Sequence, residues 1–442
     1  MFYKRASPET GEIPMLTING TQTSPFCDGV SRRGFLKLGA LGIGGLTLAD
    51  VLRAESQAGI GSSQKAIINI HLHGGPPHTD MFDLKPEAPV EYRGEFMPIA
   101  TNAPGLDICE HMPMLASMGD KFAVIRSLVG SNSGHDNVQT QSGYNRRSLE
   151  SLGGRPATGS VISKLQGSIN GAPPFVSYSG GSAGYLGPTF QPFTPNGSGA
   201  ALSNLRLERS LTANRLTDRS SLLSSLDRIR RDVDASGEML ALDDFTKTAI
   251  EVVTSGRVAD AIDLKKEDPR TVARYGKGGS TLLTARRLIQ AGVRVVTMRS
   301  FGGWDTHGNN FKTLRDRNLP QLDQAMSALI DDLSARGMYD DVTIVLWGEF
   351  GRTPRVNGNA GRDHWPRLSM AFMGGGGIRG GQAVGQSSRK GEIAENRAID
   401  YQEVHATLYH NMGIDLHTTQ FIDPAGRPQY ILDHLDPIKE LV

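Results

Sequence analysis

Two segments toward the C-terminus hold the residue types that bind divalent metals. They are Trp304-Asp305-Thr306-His307 and Gly348-Glu349-Phe350-Gly351-Arg352-Thr353-Pro354, the second followed by Gly361-Arg362-Asp363-His364-Trp365. Carboxylate plus neutral imidazole is an ordinary ligand pair for zinc or manganese. Asp305 and His307 sit two positions apart, so in extended chain both reach the same side. The bland alternative is a surface Asp–His hydrogen bond. His364 completes a set with Asp305 and His307, and Trp365 beside it is expected to pack against the site and dry it. Glu349 offers another carboxylate. Arg352, three residues on, carries a planar fork that suits a tetrahedral oxyanion; the alternative is an internal Glu349–Arg352 ion pair.

Two earlier segments add candidates. His71, His73, His78, Asp80 and Asp83 fall within thirteen residues of one another. Such groups are costly to bury unpaired, so some must be exposed, paired or metal-bound. Asp80 is the favoured ligand, with His78 next, while His71 reads as a core imidazole. Ser131-Asn132-Ser133-Gly134-His135-Asp136 precedes an expected helix. Ser133 is a candidate nucleophile activated by a metal, with helix amides nearby for an oxyanion. Plain N-capping by these serines is the competing explanation. His135 is a candidate ligand or general acid.

These residues need elements to hold them. Runs 65–72, 121–128, 292–299, 341–347 and 368–373 are apolar or β-branched and read as strands. Helices are expected near 137–143, over 280–290 and over 319–336, where Leu322, Met326, Leu329 and Leu333 recur at helical spacing before Gly337. The stretch 151–202 reads as loops with short strands. Residues 203–290 are mostly helical in pattern, including a charged amphipathic section from Ser220 to Arg231. Strands alternating with helices imply an α/β fold, a mostly parallel sheet with helices on both faces. Sites in such sheets lie beyond the strands' C-terminal ends, which is where Asp305 and Glu349 fall.

Composition narrows the functional classes. The chain has 442 residues, with 47 basic and 46 acidic side chains and a net charge of +1. No charged block suggests nucleic-acid binding. The tetraglycine at 374–377 lacks a P-loop ending, and neither G-x-S-x-G nor a strand-following G-x-G-x-x-G occurs. Cys27 and Cys109 are the two cysteines. Cys109 is expected to be an inert core thiol.

Ser31-Arg32-Arg33-Gly34-Phe35-Leu36-Lys37, followed by an apolar glycine-rich run, looks like a twin-arginine export signal. The run is too short for a comfortable membrane span. Residues 1–58 are therefore set aside as leader. Export by the twin-arginine translocase to the periplasm or medium is expected, with no membrane span in the mature chain. That route carries proteins already folded, which suits a metal loaded in the cytoplasm.

Jointly, Gly74 to Pro86, Trp304 to His307, Gly348 to Pro354, Gly361 to Trp365 and Ile378 to Gly385 resemble the exported family called domain of unknown function 1501, within the alkaline phosphatase-like superfamily. The resemblance implies one domain over 64–442, a three-layer α/β/α sandwich, with 151–280 a loop and helical insertion. It also implies one or two divalent metals beside a Ser, Thr or modified Cys nucleophile. Carried over, Asp305 and His307 match the superfamily's Asp…His pair, Glu349 stands for an Asp, and His364 matches the late His. Two departures stand out. The first strand ends in His-Gly-Gly where a ligand Asp is usual, so Asp80 has to substitute. Phe350 occupies the place of a second ligand His, which favours one metal over two.

The expectation is an exported metal-dependent hydrolase of phosphate or sulfate esters, on small molecules or glycans. Its metal ligands are Asp80, Asp305, His307, Glu349 and His364, and its catalytic residues Ser133, His135 and Arg352. The metal is zinc, manganese or calcium. The rivals are a non-catalytic metal- or anion-binding member, and an esterase or carbohydrate-modifying enzyme on the same scaffold.

Overall fold

The computed structural model describes residues 65–195 and 255–442. The twin-arginine segment, Cys27 and the amphipathic section at 220–231 lie outside the described residues.

An eight-stranded sheet organises the chain. Its strands are β1 (Ala66–His71), β2 (Phe122–Val129), β3 (Phe175–Ser177), β4 (Val295–Arg299), β5 (Val342–Trp347), β8 (Ser369–Gly374), β9 (Gln382–Val384) and β10 (Ile399–Asp400). The spatial order is β9-β2-β8-β5-β1-β4-β3, with β10 also on β2. β8 runs antiparallel to β2 and β5, and every other pairing is parallel. Between β5 and β8 a small hairpin forms from β6 (Gly351–Arg352) and β7 (His364–Trp365).

Both faces of the sheet are covered, so its central strands are apolar throughout. On one face Ile68, Ile70, Ile344 and Leu346 join α3 (Ser280–Gln290) and α4 (Leu319–Ala335). The expected stripe of α4, Leu322, Met326, Leu329 and Leu333, is buried there, each side chain contributing roughly 1.5–3 kcal/mol. Gly337, at φ 67°, follows the helix end as expected. On the other face Ile67, Val345 and Trp347 pack with α2 (Thr158–Gln166) and α5 (Tyr401–Asn411). This is the expected three-layer α/β/α arrangement.

Two local readings change. α2 lies in the stretch expected to be loops with short strands. Gly159 and Ser160 disguise it; the glycine is there because a Cβ would overlap the Phe175 ring. Helix α1 (Val138–Ser142) is only five residues long. Cys109 is buried, and burial pushes its thiol up to about 12, so it is inert as expected.

Candidate metal centre

One edge of the sheet gathers the chemistry. β1, β2, β4 and β5 run the same way, and the loops after them carry His73, His135, Asp305 and Glu349. β8 runs oppositely, so the segment entering it brings His364 to that same edge. The β6–β7 pairing opposes Arg352 to His364 and fixes that segment.

Three donor atoms converge there. Asp305 Oδ1 lies 3.0 Å from His307 Nε2 and 3.3 Å from His364 Nε2. The two Nε2 atoms are 3.2 Å apart. Tetrahedral ligands about 2.0–2.1 Å from zinc stand about 3.3 Å from one another, so the spacing fits a small divalent cation.

The outer nitrogens decide where the protons are. His364 Nδ1 lies 2.9 Å from the Ser133 carbonyl, which only accepts, so Nδ1 carries the proton. His307 Nδ1 lies 2.6 Å from Asp363 Oδ1. The His307 bond holds the Asp363 carboxyl below its ordinary value, so it too accepts. In their neutral forms both imidazoles aim bare lone pairs at each other and at a carboxylate. Burial pushes the Asp305 carboxyl up, but Arg352 outweighs it and holds the group at about 2. A divalent cation between them, or a second proton on either imidazole donated to Asp305, satisfies this arrangement. Outer hydrogen bonds that fix the imidazole tautomer are normal for metal-bound histidine.

A second set adjoins the first. His71 Nε2 and Glu349 Oε2 are 3.5 Å apart, both buried, and neither has a hydrogen-bond partner. His73 Nδ1 lies 3.8 Å from Glu349 Oε1, and the three residues can offer donor atoms to one ion. Burial drives the His71 imidazole down to about 4, so it is neutral. Burial pushes Glu349 up, but His71, His135 and the Gly74 amide together hold it below its ordinary value. Gly74, at φ 110°, closes this side: its amide donates to Glu349 Oε1 at 2.8 Å, and a Cβ there would strike the Asp305 backbone.

His135 bridges the two sets. Its Nδ1 lies 2.9 Å from Glu349 Oε1 and its Nε2 3.4 Å from Asp305 Oδ2. Phe350 is buried beneath, its ring centroid 4.3 Å from that of His364 and 5.1 Å from that of His135. It floors the imidazoles rather than offering a ligand.

The structure thus brings Asp305, His307, Glu349, His364 and His135 together. Ser133 sits in the same exposed loop as His135. Two expected roles need correction. Asp80 is fully buried away from the cluster, both its oxygens held by Arg362 at 2.7 and 2.8 Å. Asn310 adds a third bond to the same carboxylate at 2.8 Å. Arg352 is also fully buried. Its guanidinium donates to the carbonyls of Gly74, Gly75 and Arg362 and to Asp305. It braces a ligand and has no face left for an external anion. His71 and His73 were missed as a pair, although the i, i+2 rule applied to Asp305 and His307 would have found them.

His135 with Asp305 and His364 also has suitable spacing for one ion, as do Asp400, Glu403 and His434. Asp400 and Glu403 form the capping box of α5, which accounts for them structurally.

The family described as "Protein of unknown function (DUF1501)" matches residues 64–442. The chain belongs to that family. No curated protein matches it. Among solved structures it is similar to Ps i-CgsB, at 8% identity and TM-score 0.37, covering 79% of this chain and 72% of the other. It is also similar to the PsFucS1 sulfatase from Pseudoalteromonas sp., at 11% identity and TM-score 0.36, covering 83% and 71%. The lipoteichoic acid synthase LtaP from Listeria monocytogenes follows at 10% and 0.31, covering 80% and 72%. At such scores these likenesses carry no argument about activity. No helix among the described residues is long and apolar enough to cross a membrane.

Proposed function

We propose that this chain is an exported metal-dependent hydrolase of phosphate or sulfate esters. The observation that carries the reading is the convergence of Asp305 Oδ1, His307 Nε2 and His364 Nε2 with both imidazole protons on the far side. Imidazole plus carboxylate favours zinc or manganese over calcium, which prefers oxygen ligands. His71, His73 and Glu349 would hold a second ion. A bound divalent cation supplies stabilisation of negative charge on the ester oxygens. The chain's own residues do the rest. Ser133 Oγ passes its proton to His135 as it attacks phosphorus or sulfur, the bond to the leaving alcohol breaks, and His135 gives that proton to the departing oxygen. Water then releases the anion. The twin-arginine segment supports export.

A second reading, a metal-binding member without turnover, is favoured by the loss of Arg352 as an anion holder. Assays on 4-nitrophenyl phosphate, bis(4-nitrophenyl) phosphate and 4-nitrophenyl sulfate, with and without chelator, separate the two. Turnover abolished by chelator and restored by zinc or manganese supports the hydrolase. Retained metal with no turnover on any of the three supports the binding protein.

A further inference from the structure

Beside the donor cluster lies an open cleft of about 430 Å³, within the roughly 300–1,000 Å³ range of small-molecule sites. Asp363, the partner of His307, forms part of its wall and links the cleft to the cluster through that hydrogen bond. Tyr92 and Trp365 contribute two aromatic rings. Lys390 covers the Tyr92 ring at 4.6 Å and Arg367 the Trp365 ring at 5.5 Å; neither cation lines the cleft. The Trp365 indole is anchored by its N–H to the Glu392 carbonyl at 2.8 Å. The indole is therefore set in place before any ligand arrives, which lowers the cost of ordering it on binding.

The polar groups of the cleft divide in two. Asn357 is consumed holding the His307 carbonyl and Asp363. The Arg355 guanidinium and the Glu392 carboxylate line the cleft with no partner among the described residues. Arg355 thus offers the anion-binding fork that Arg352, three residues earlier, has spent on carbonyls.

We propose that this cleft is a subsite for a sugar ring of an anionic glycan. The ring lies against Tyr92 and Trp365, Arg355 pairs with its anionic substituent, and Glu392 accepts hydroxyl donors. Asp363 is engaged by His307 and Asn357, which leaves one guanidinium and one carboxylate for the ligand. One guanidinium can pair with a single anionic substituent on a polyhydroxyl ring, whereas a nucleotide's phosphates bring more negative charge than Arg355 can offset. As a substrate subsite the cleft rests on the hydrolase reading above, but binding is measurable without turnover.

Trp304 and Trp347 are fully buried and Trp365 is partly exposed, so ligand-dependent tryptophan fluorescence reports on Trp365. The test titrates the purified mature protein with a β-1,4-mannuronate hexamer and with β-1,4-mannohexaose, which differ in the carboxylates. Calorimetry confirms each affinity, and ADP is the third probe. The expected result is saturable binding of the mannuronate at least tenfold tighter than the neutral hexamer. Arg355→Ala abolishes that difference, and Tyr92→Ala weakens both hexamers at least tenfold. Neither hexamer binding, affinities unchanged in both variants, or ADP binding in preference to both overturns the proposal. Neither hexamer carries a phosphate or sulfate ester, so failure of the hexamers to bind leaves the hydrolase reading standing, and an inactive protein that binds mannuronate leaves this one standing.

Discussion

His307 Nε2 and His364 Nε2 face each other at 3.2 Å while each imidazole holds its proton on the opposite nitrogen. With both imidazoles neutral, two bare lone pairs at that distance repel, and Asp305 Oδ1 adds a negative charge to the same point. A cation turns all three contacts from unfavourable to favourable. The loop ends of β4 and the segment entering β8 are held in this geometry from outside, by Asp363, Arg352 and the Ser133 carbonyl.

Asp363 is exposed and touches the site through His307 alone among its ligands. Asp363→Ala is expected to leave folding intact and weaken metal affinity about 10–100-fold, the usual cost of losing an outer partner. Competition with a fluorescent zinc chelator measures it.

Asp80 separates a structural role from a ligand role. Asp80→Ala leaves the Arg362 guanidinium buried without its carboxylate, a loss of about 3–5 kcal/mol. Thermal melts should show a large fall in midpoint, while the metal content of the folded fraction stays at the wild-type level. Loss of metal with unchanged stability would restore Asp80 as a ligand.

His135 is half-exposed between two carboxylates. Its replacement by Gln is expected to lower kcat about 10²–10⁴-fold, the range for a lost general acid, with metal retained. Ser133→Ala should abolish any covalent intermediate seen on rapid quenching. Multiple-turnover and quench kinetics on 4-nitrophenyl esters read both.

His405 gives a pH signature far from the cluster. Its Nε2 donates to the Gln139 carbonyl at 2.9 Å, so Nδ1 accepts from the Thr158 hydroxyl at 2.8 Å. Burial lowers its pKa from 6.5 to about 4. The unfolded chain takes up a proton first as pH falls. The stability from neutral His405 is therefore complete above 6.5 and lost on the way down to about 4, on the order of 3 kcal/mol. Urea denaturation at pH 7, 5.5 and 4.5 should show this decline in wild type and a shallower one in His405→Gln.

Much of the frame was legible because the central strands are buried on both faces and the α4 stripe repeats at helical spacing. Asp305, His307 and His364 were legible because strand ends in such sheets carry sites. The identity of Asp80's partner was not: a buried Asp–Arg pair joins residues 282 positions apart, and local sequence does not encode that. Arg352 misled for the same reason, since its partners are carbonyls of Gly74 and Gly75, nearly 280 positions away. The cleft beside Trp365 likewise assembles from segments near 92, 355, 365 and 392.

The most direct test is elemental analysis of the mature protein expressed in metal-replete medium, beside His307→Ala, with circular dichroism confirming the fold of each. His307 is half-exposed, so its removal spares the core. The account predicts zinc or manganese at one equivalent or more in wild type, and at least one equivalent less in the variant. Wild type without metal after zinc and manganese titration, or a variant that keeps the full complement, contradicts it.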